Sequence, residues 1–202
     1  AAPISEYQKM GYLQEALVNF MAFLGWNPGD EREIYSLPSL IKEFSLERVQ
    51  RGGAIFNIKR LDFLNGFYIR QRSPEKLTEF CLPFLIEAGF VVKEKVDFEY
   101  LKKIVSIYQE RLKKLSEITE LTDFFFKEIL NYNKELLKWA NMSDKEIKVS
   151  LEKLEKILSK IKIENWTKEN LENILLPEAE KFAKEIKKEV GDRGYLLWPL
   201  RV

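Results

Sequence analysis

Histidine does not occur anywhere in the 202 residues of this sequence. That absence removes the usual general base at neutral pH, the serine and cysteine triads built on an imidazole, and most protein zinc chemistry. Cysteine is almost as scarce. Cys81 stands alone, which excludes an internal disulfide framework and a cysteine-based zinc site and fits a reducing compartment, so a cytoplasmic location is expected. No glycine-rich phosphate loop of dinucleotide or P-loop spacing is present, and Gly52-Gly53 in "QRGGAIF" reads only as a turn. No apolar run approaches the roughly 20 residues of a spanning helix. The N-terminus carries neither a basic leader nor a signal-like apolar core, and no membrane partner is expected. An excess of one charge is missing too: Lys+Arg 33 against Asp+Glu 32 gives +1, so any surface for a polyanion must be local. Carboxylate or lysine catalysis stays open in principle, but no catalytic residue, metal ligand or cofactor is nominated.

What is present is a globular composition, 46% hydrophobic and 13% aromatic, enough for one large domain or two to three small ones. Helical periodicity dominates, and the expected class is all-α. In "SEYQKMGYLQEALVNFMAFLGW" Leu13, Leu17, Phe20, Met21 and Leu24 fall on one face, with Gly25 as the stop. Short helices are expected at "SLPSLIKEF" and at "NIKRLDFLNG", the latter with Leu61 and Leu64 inward and Asn65-Gly66 ending it. In "SPEKLTEFCLPFLIEAGF" Ser73 caps, Pro74 takes the first position, and Leu77, Phe80, Cys81, Phe84 and Leu85 make the stripe before Gly89. Asp97 starts a long helix with Leu101, Ile104, Tyr108, Leu112 and Leu115 inward. Ser143 and Glu146 have capping-box spacing ahead of Ile147, Leu151, Leu154, Leu158 and Ile161. Trp166 and Leu171 bracket Thr167 like a hydrophobic staple, and a last helix after Pro177 carries Phe182, Ile186 and Val190 to Gly191. The aromatic stretch "LTDFFFKEILNYNKELLKW" reads as the join between two helical subdomains. "GAIFNI" is the one candidate strand.

Most lysines interleave with glutamates at helical spacing, as in "EKLEKILSKIKIE", and read as solvated faces. Residues 48–72 differ. Arg48, Arg51, Lys59, Arg60, Arg70 and Arg72 are answered within that stretch only by Asp62, and Phe67 and Tyr68 lie among them. A basic segment with interleaved aromatics can track a phosphate backbone, and ordinary surface charge is an equal reading of the same residues.

The order of "SEYQKMGYLQEALVNFMAFLGW", "EREIYSLPSLIKEFSLERV", "GGAIFNIKRLDFLNGFYIR", "PFLIEAGF" and "LLWPLRV" resembles the C-terminal half of a bacterial-type glutamyl-tRNA synthetase, a class I aminoacyl-tRNA synthetase. The front half carries the specific likeness, and the back half adds little until "WPLRV". The HIGH-like and KMSKS-like ATP motifs of that family have no counterpart here, and Lys9-Met10-Gly11 is not one of them. The resemblance implies part of a larger enzyme, with the family's KMSKS-like segment lying just upstream of the position of Ala1 and further chain following "PLRV".

The same resemblance implies a stem-contact region over residues 1–72 and a helical anticodon-binding region in two subdomains, 73–130 and 131–202. Related glutaminyl enzymes use β-barrels there, which the helical periodicity disfavours. The implied partners are the tRNA for glutamate and the catalytic domain of the same enzyme, with a monomer expected. The parent would use ATP and magnesium to attach glutamate, whereas this stretch would recognise RNA without a cofactor. Arg48, Lys59, Arg70 and Arg72 are then the candidate contacts to stem phosphates, and Arg111 and Arg201, matching family arginines, the candidates at the anticodon. A helical protein–protein scaffold is the alternative. It needs an exposed apolar patch where the RNA reading needs a basic strip.

Overall fold

The structure, a computed structural model, describes residues 3–50, 52–53, 55–186 and 192–201. The chain divides into two compact units, Ala1–Glu128 and Ile129–Val202. Helices account for the regular structure of both. Among the described residues extended pairing is confined to an isolated antiparallel bridge between Trp26 and Val49. The described part of the "GAIFNI" segment forms no strand, and its Ile58 instead opens a helix.

In the first unit the opening apolar segment is two helices, α1 (Ile4–Lys9) and α2 (Gln14–Ala22). Gly11 separates them at φ +86°, a left-handed conformation that a side chain disfavours. Its carbonyl accepts the Leu115 amide at 3.0 Å. A Cβ there would lie 2.6 Å from the backbone nitrogens of Leu115 and Ser116. The break lets a later segment pack against backbone. Leu13, Ala16, Leu17 and Phe20 are buried as the periodicity requires, while Met21 is 44% exposed. The helix ends at Ala22 with Phe23 as its C-cap, not at Gly25.

Ser36 caps α3 (Leu37–Glu43) through the Ser39 amide, and Asn57 caps α4 (Ile58–Arg70) through Lys59 and Arg60. Asn65-Gly66 does not stop α4. The Asn65 amide is taken up by distant partners: its Oδ1 accepts the Leu13 amide at 2.8 Å, and its Nδ2 donates to the carbonyls of Lys113 at 2.6 Å and Gly11 at 3.3 Å. With those partners it does not compete for local backbone groups, and the helix continues. Ser73 caps α5 (Pro74–Glu87), and Gly89 follows at φ +74°. Asp97 caps α6 (Phe98–Tyr108), which stops sooner than the periodicity suggests. Leu112 and Leu115 are buried, but from the turn over residues 109–116 that precedes α7 (Glu117–Thr122).

Two adjoining cores result. Ile69, Leu77, Cys81, Leu85, Val105 and Leu112 belong to one, and Tyr12, Ala16, Leu17, Phe20, Leu61 and Leu64 to the other. Asn19, fully buried, fastens the Glu33–Tyr35 strap by donating to the Glu33 carbonyl at 3.0 Å and accepting the Tyr35 amide at 2.8 Å.

The second unit opens its long hairpin with α8 (Asp144–Leu158), whose Ser143–Glu146 capping box is complete. Ile147 and Leu154 face the core, whereas Leu151 is 38% exposed. Thr167 caps α9 (Lys168–Glu185), and this helix runs through Pro177 instead of starting after it, forgoing one backbone hydrogen bond. Trp166 is half exposed and donates to the Ile161 carbonyl at 3.1 Å, so its indole closes the preceding turn. Val190 and Gly191 lie outside the described residues. A helix not anticipated from periodicity, α10 (Gly194–Arg201), packs Tyr195 and Leu196 on Ile147, Leu154 and Phe182.

Gly11→Ala is expected to lower stability by about 2–4 kcal/mol, from left-handed strain plus the clash with residues 115–116. Gly25→Ala, where an added Cβ meets nothing within 4 Å, serves as the control, and urea denaturation of both variants measures the difference. Burial pushes the Cys81 thiol up to about 12, so the folded protein carries almost no thiolate at pH 8. A chromogenic disulfide reagent at that pH is expected to react only as the protein unfolds.

Candidate nucleic-acid interface

Helix α4 presents two faces of opposite character. Leu61, Leu64, Asn65 and Ile69 are buried, and Tyr68 turns inward, its hydroxyl lying 2.9 Å from Asn19 Oδ1 and 2.8 Å from the Tyr35 carbonyl oxygen. Burial raises its phenol above the ordinary range, with Glu15 adding to the effect. Lys59, Phe63, Phe67 and Arg70 recur at i, i+4, i+8 and i+11, one face of a helix. Lys59 and Phe63 are exposed, and Phe67 and Arg70 are half-buried. This basic and aromatic stripe is where a phosphate backbone with unstacked bases could lie. Phe63 is the member that the sequence reading missed; counting back four residues from Phe67 would have found it.

The other cations of the segment are less free. Arg60 pairs with Glu33 at 3.2 Å and lies over the Phe23 ring. Arg72 pairs with Glu15 and lies over Phe80. Arg48 donates to the Pro28 carbonyl. Arg51 lies outside the described residues. Asp62, the one acid inside the segment, accepts from the Tyr12 hydroxyl at 2.5 Å. Burial, reinforced by that hydrogen bond and the Asp62 charge, holds the Tyr12 phenol well above the usual range. Acids distant in sequence, Glu15 and Glu33, thus answer arginines that look unpaired along the chain. Among the described residues Lys59, Arg70 and Arg111 have no acidic partner within 4.0 Å.

Arg111 does not sit on the long helix. It stands in the turn that follows α6, exposed, with its guanidinium 5.6 Å from the centre of the Tyr108 ring. That turn is docked on α4. It faces Gly66, where a Cβ would lie 3.1 Å from the Arg70 guanidinium and 3.4 Å, an ordinary contact, from the Leu112 carbonyl oxygen. Gln109 Nε2 donates to the carbonyls of Ile69, Arg70 and Arg72 at 3.1, 3.3 and 2.8 Å. Glu117 closes the other end by accepting the amides of Lys113 and Lys114 at 2.8 and 3.1 Å. Arg70, at the end of the stripe, and Arg111 are therefore tied through backbone to one side-chain amide.

Arg201 belongs to the second unit. It is exposed in the last turn of α10, and its guanidinium lies 5.7 Å from the Trp198 ring. Trp198 is held at both ends, its ring 5.0 Å from that of Trp139 at a 42° tilt and its indole nitrogen donating to the Leu136 carbonyl at 2.7 Å. Trp139 is fixed in turn by Asp192, which accepts from its indole nitrogen at 2.8 Å. Gly194 is required there, since a Cβ would meet the Trp139 ring at 2.2 Å. An arginine over a clamped indole can present a flat face and five donors to a base.

Among the described residues no cluster of three or more acidic or cysteine side chains could hold a metal, and no helix is long and apolar enough to cross a membrane.

Comparison with known proteins agrees with this architecture. Residues 76–202 match the family described as the anticodon binding domain, and residues 2–63 match the class I tRNA synthetase (E and Q) catalytic domain. The chain is 39% identical to a glutamate–tRNA ligase 1 of Caldicellulosiruptor saccharolyticus over 98% of its own length and 39% of that protein. It is 36% identical to the glutamate–tRNA ligase of Desulforamulus reducens over 100% of its length and 40% of the relative. A crystal structure of a glutamate tRNA ligase from Elizabethkingia meningosepticum, in complex with its amino acid, superposes with a TM-score of 0.73 at 27% identity, covering 96% of this chain and 36% of that one. The chain thus spans about two fifths of the length of these relatives. With the anticodon-binding family model covering more than half of its residues, the chain belongs to the glutamate–tRNA ligase family and carries the anticodon-binding domain together with a short part of the catalytic one.

Proposed function

We propose that this chain is the tRNA-binding part of an enzyme that attaches glutamate to its tRNA with ATP and magnesium, and that the chain itself binds RNA without catalysing the reaction. The observation that carries the reading is the Lys59–Phe63–Phe67–Arg70 stripe, continued by the basic turn that holds Arg111. Residues 1–72 serve the stem side of the tRNA, and 73–130 with 131–202 serve the anticodon. Lys59 and Arg70 meet phosphates directly. Arg48 and Arg72 do so while also bracing the Pro28 carbonyl and Glu15. Arg201, with Trp198, contacts an anticodon base.

Exposed apolar side chains do occur, notably Ile41 at 73%, Leu46 at 77% and Ile55 at 89%. These three lie within the stretch that matches the catalytic-domain family, so the remainder of that domain is their expected cover, whereas Ile129 at 76% and Ile163 at 90% lie beyond that stretch. The RNA-binding reading is preferred to a protein–protein scaffold on the basic stripe of α4. The whole enzyme is taken to act as a cytoplasmic monomer.

Arg111 is assigned to the last anticodon base. Glutamate anticodons end in cytosine, whose Watson–Crick edge offers acceptors at O2 and N3 to a group that only donates. Glutamine anticodons end in guanine, whose N1 and N2 are donors. Arg111→Gln is expected to narrow the affinity gap between the two tRNAs, because an amide can turn its oxygen toward guanine; a good base contact discriminates by about 1–3 kcal/mol. Fluorescence titration with each tRNA measures it, and an unchanged ratio removes Arg111 from the reading site.

With about four to six phosphate contacts, the log–log salt dependence of tRNA binding should have a slope near −3 to −5. Lys59→Ala and Arg70→Ala should each flatten it by about 0.7–0.9. Arg60→Ala, already neutralised by Glu33, should leave it unchanged. A salt-independent affinity contradicts the stripe as the RNA surface.

A further inference from the structure

Gln109 has no role in the reading above, yet its side-chain amide touches more backbone than any neighbour in the turn. The amide nitrogen lies within hydrogen-bonding distance of three carbonyl oxygens at the C-terminal end of α4, those of Ile69, Arg70 and Arg72. The terminal carbonyls of a helix lack α-helical partners; the Ile69 carbonyl accepts the Arg72 amide at 3.1 Å, and Gln109 adds a side-chain cap to Ile69 and Arg70 and to Arg72 just past the helix, reached from 37 to 40 residues away. Four residues on, Asn65 Nδ2 holds the Lys113 carbonyl at 2.6 Å. Arg111 lies between these two attachments. Among the described residues no salt bridge fixes its guanidinium, so its place is set by the backbone that carries it and by the Tyr108 ring beneath.

We propose that Gln109 is a specificity-determining positioning residue: by fastening residues 109–111 to the end of α4, it sets the guanidinium of Arg111 at a fixed place relative to Arg70. The proposal rests on Arg111 reading the last anticodon base. A base contact discriminates only when donors and acceptors meet within hydrogen-bonding reach, and a turn free to shift by an ångström would let Arg111 find a phosphate or an alternative base edge equally well. Gln109 touches no RNA in this account. It converts a generic cation into a reader of one base edge by removing the freedom of its backbone. Asn65 acts on the far side of the turn, but it also holds Gly11 and Leu13, so Gln109 is the residue through which the effect can be isolated.

The test uses the 202-residue chain and two anticodon stem-loop RNAs that differ only in cytosine or guanine at the last anticodon position. Gln109→Met keeps the length of the side chain and removes the donor. Gln109→Lys restores a donor, with three N–H groups and a charge that a helix C-terminus favours. The unaltered protein is expected to prefer the cytosine RNA by about 5- to 150-fold, the range of one good base contact. Gln109→Met should reduce that ratio at least about threefold with an unchanged salt slope, since no phosphate contact is lost. Gln109→Lys should return most of the ratio. Gln109→Met combined with Arg111→Gln should discriminate no worse than Arg111→Gln alone, because the two act as one unit. If Gln109→Met is too unstable to assay, the Gln109→Lys variant, compared with and without Arg111→Gln, decides the same question.

A full ratio in folded Gln109→Met overturns the proposal while leaving the Arg111 reading intact. So does a Gln109→Lys variant that folds but no longer discriminates. An undiminished ratio in Arg111→Gln overturns the Arg111 reading and this proposal together.

Discussion

A single buried amide holds the first unit in register. Asn65 accepts from the start of α2, donates to the break between α1 and α2, and donates again to the Lys113 carbonyl. A buried polar group left without partners is costly, so these three bonds are formed together or lost together. Each also joins stretches about 50 residues apart. The arrangement fixes where α4 enters the core, and with it which side chains of α4 remain outside. The Lys59–Phe63–Phe67–Arg70 stripe is the complement of the face that Asn65, Leu61, Leu64 and Ile69 bury.

The same constraint explains Gly11. Residues 115–116 approach backbone there, and an added Cβ would meet their nitrogens at 2.6 Å. The turn that leads to them also lies against Gly66 of α4 at ordinary contact distance, and it brings Arg111 next to the stripe. Packing, hydrogen bonding and the candidate RNA surface are therefore one arrangement. The second unit achieves a similar result by other means. Trp139 is fixed by Asp192, clamps Trp198, and Trp198 supports Arg201.

Much of this was legible in the sequence, and where legibility ended is instructive. Caps at Ser73, Asp97, Ser143 and Thr167 were readable because they are local: an oxygen in the side chain meets an amide three residues on. Buried stripes such as Leu77, Cys81 and Leu85 followed from helical periodicity. The misreadings concern residues whose partners are distant. Asn65-Gly66 looks like a helix stop until Gly11, Leu13 and Lys113 occupy its amide. Arg60 and Arg72 look unpaired until Glu33 and Glu15 arrive from elsewhere in the chain. Leu112 and Leu115 keep the helical period of α6 although the helix ends at Tyr108, because a compact turn can bury the same side chains. Phe63 was passed over because it stands among the buried leucines Leu61 and Leu64 in sequence, and it joins its stripe only once α4 is seen to reach Arg70.

The central claim is that the α4 stripe and the turn over residues 109–114 form one RNA surface. Amide chemical-shift mapping of the chain on addition of the tRNA for glutamate tests it most directly. The account predicts that perturbations in the first unit concentrate at Lys59, Phe63, Phe67 and Arg70 and at residues 109–114, and that both groups shift with the same midpoint. Perturbations confined to the exposed apolar residues Ile41, Leu46 and Ile55, or different midpoints for the stripe and the turn, would contradict it.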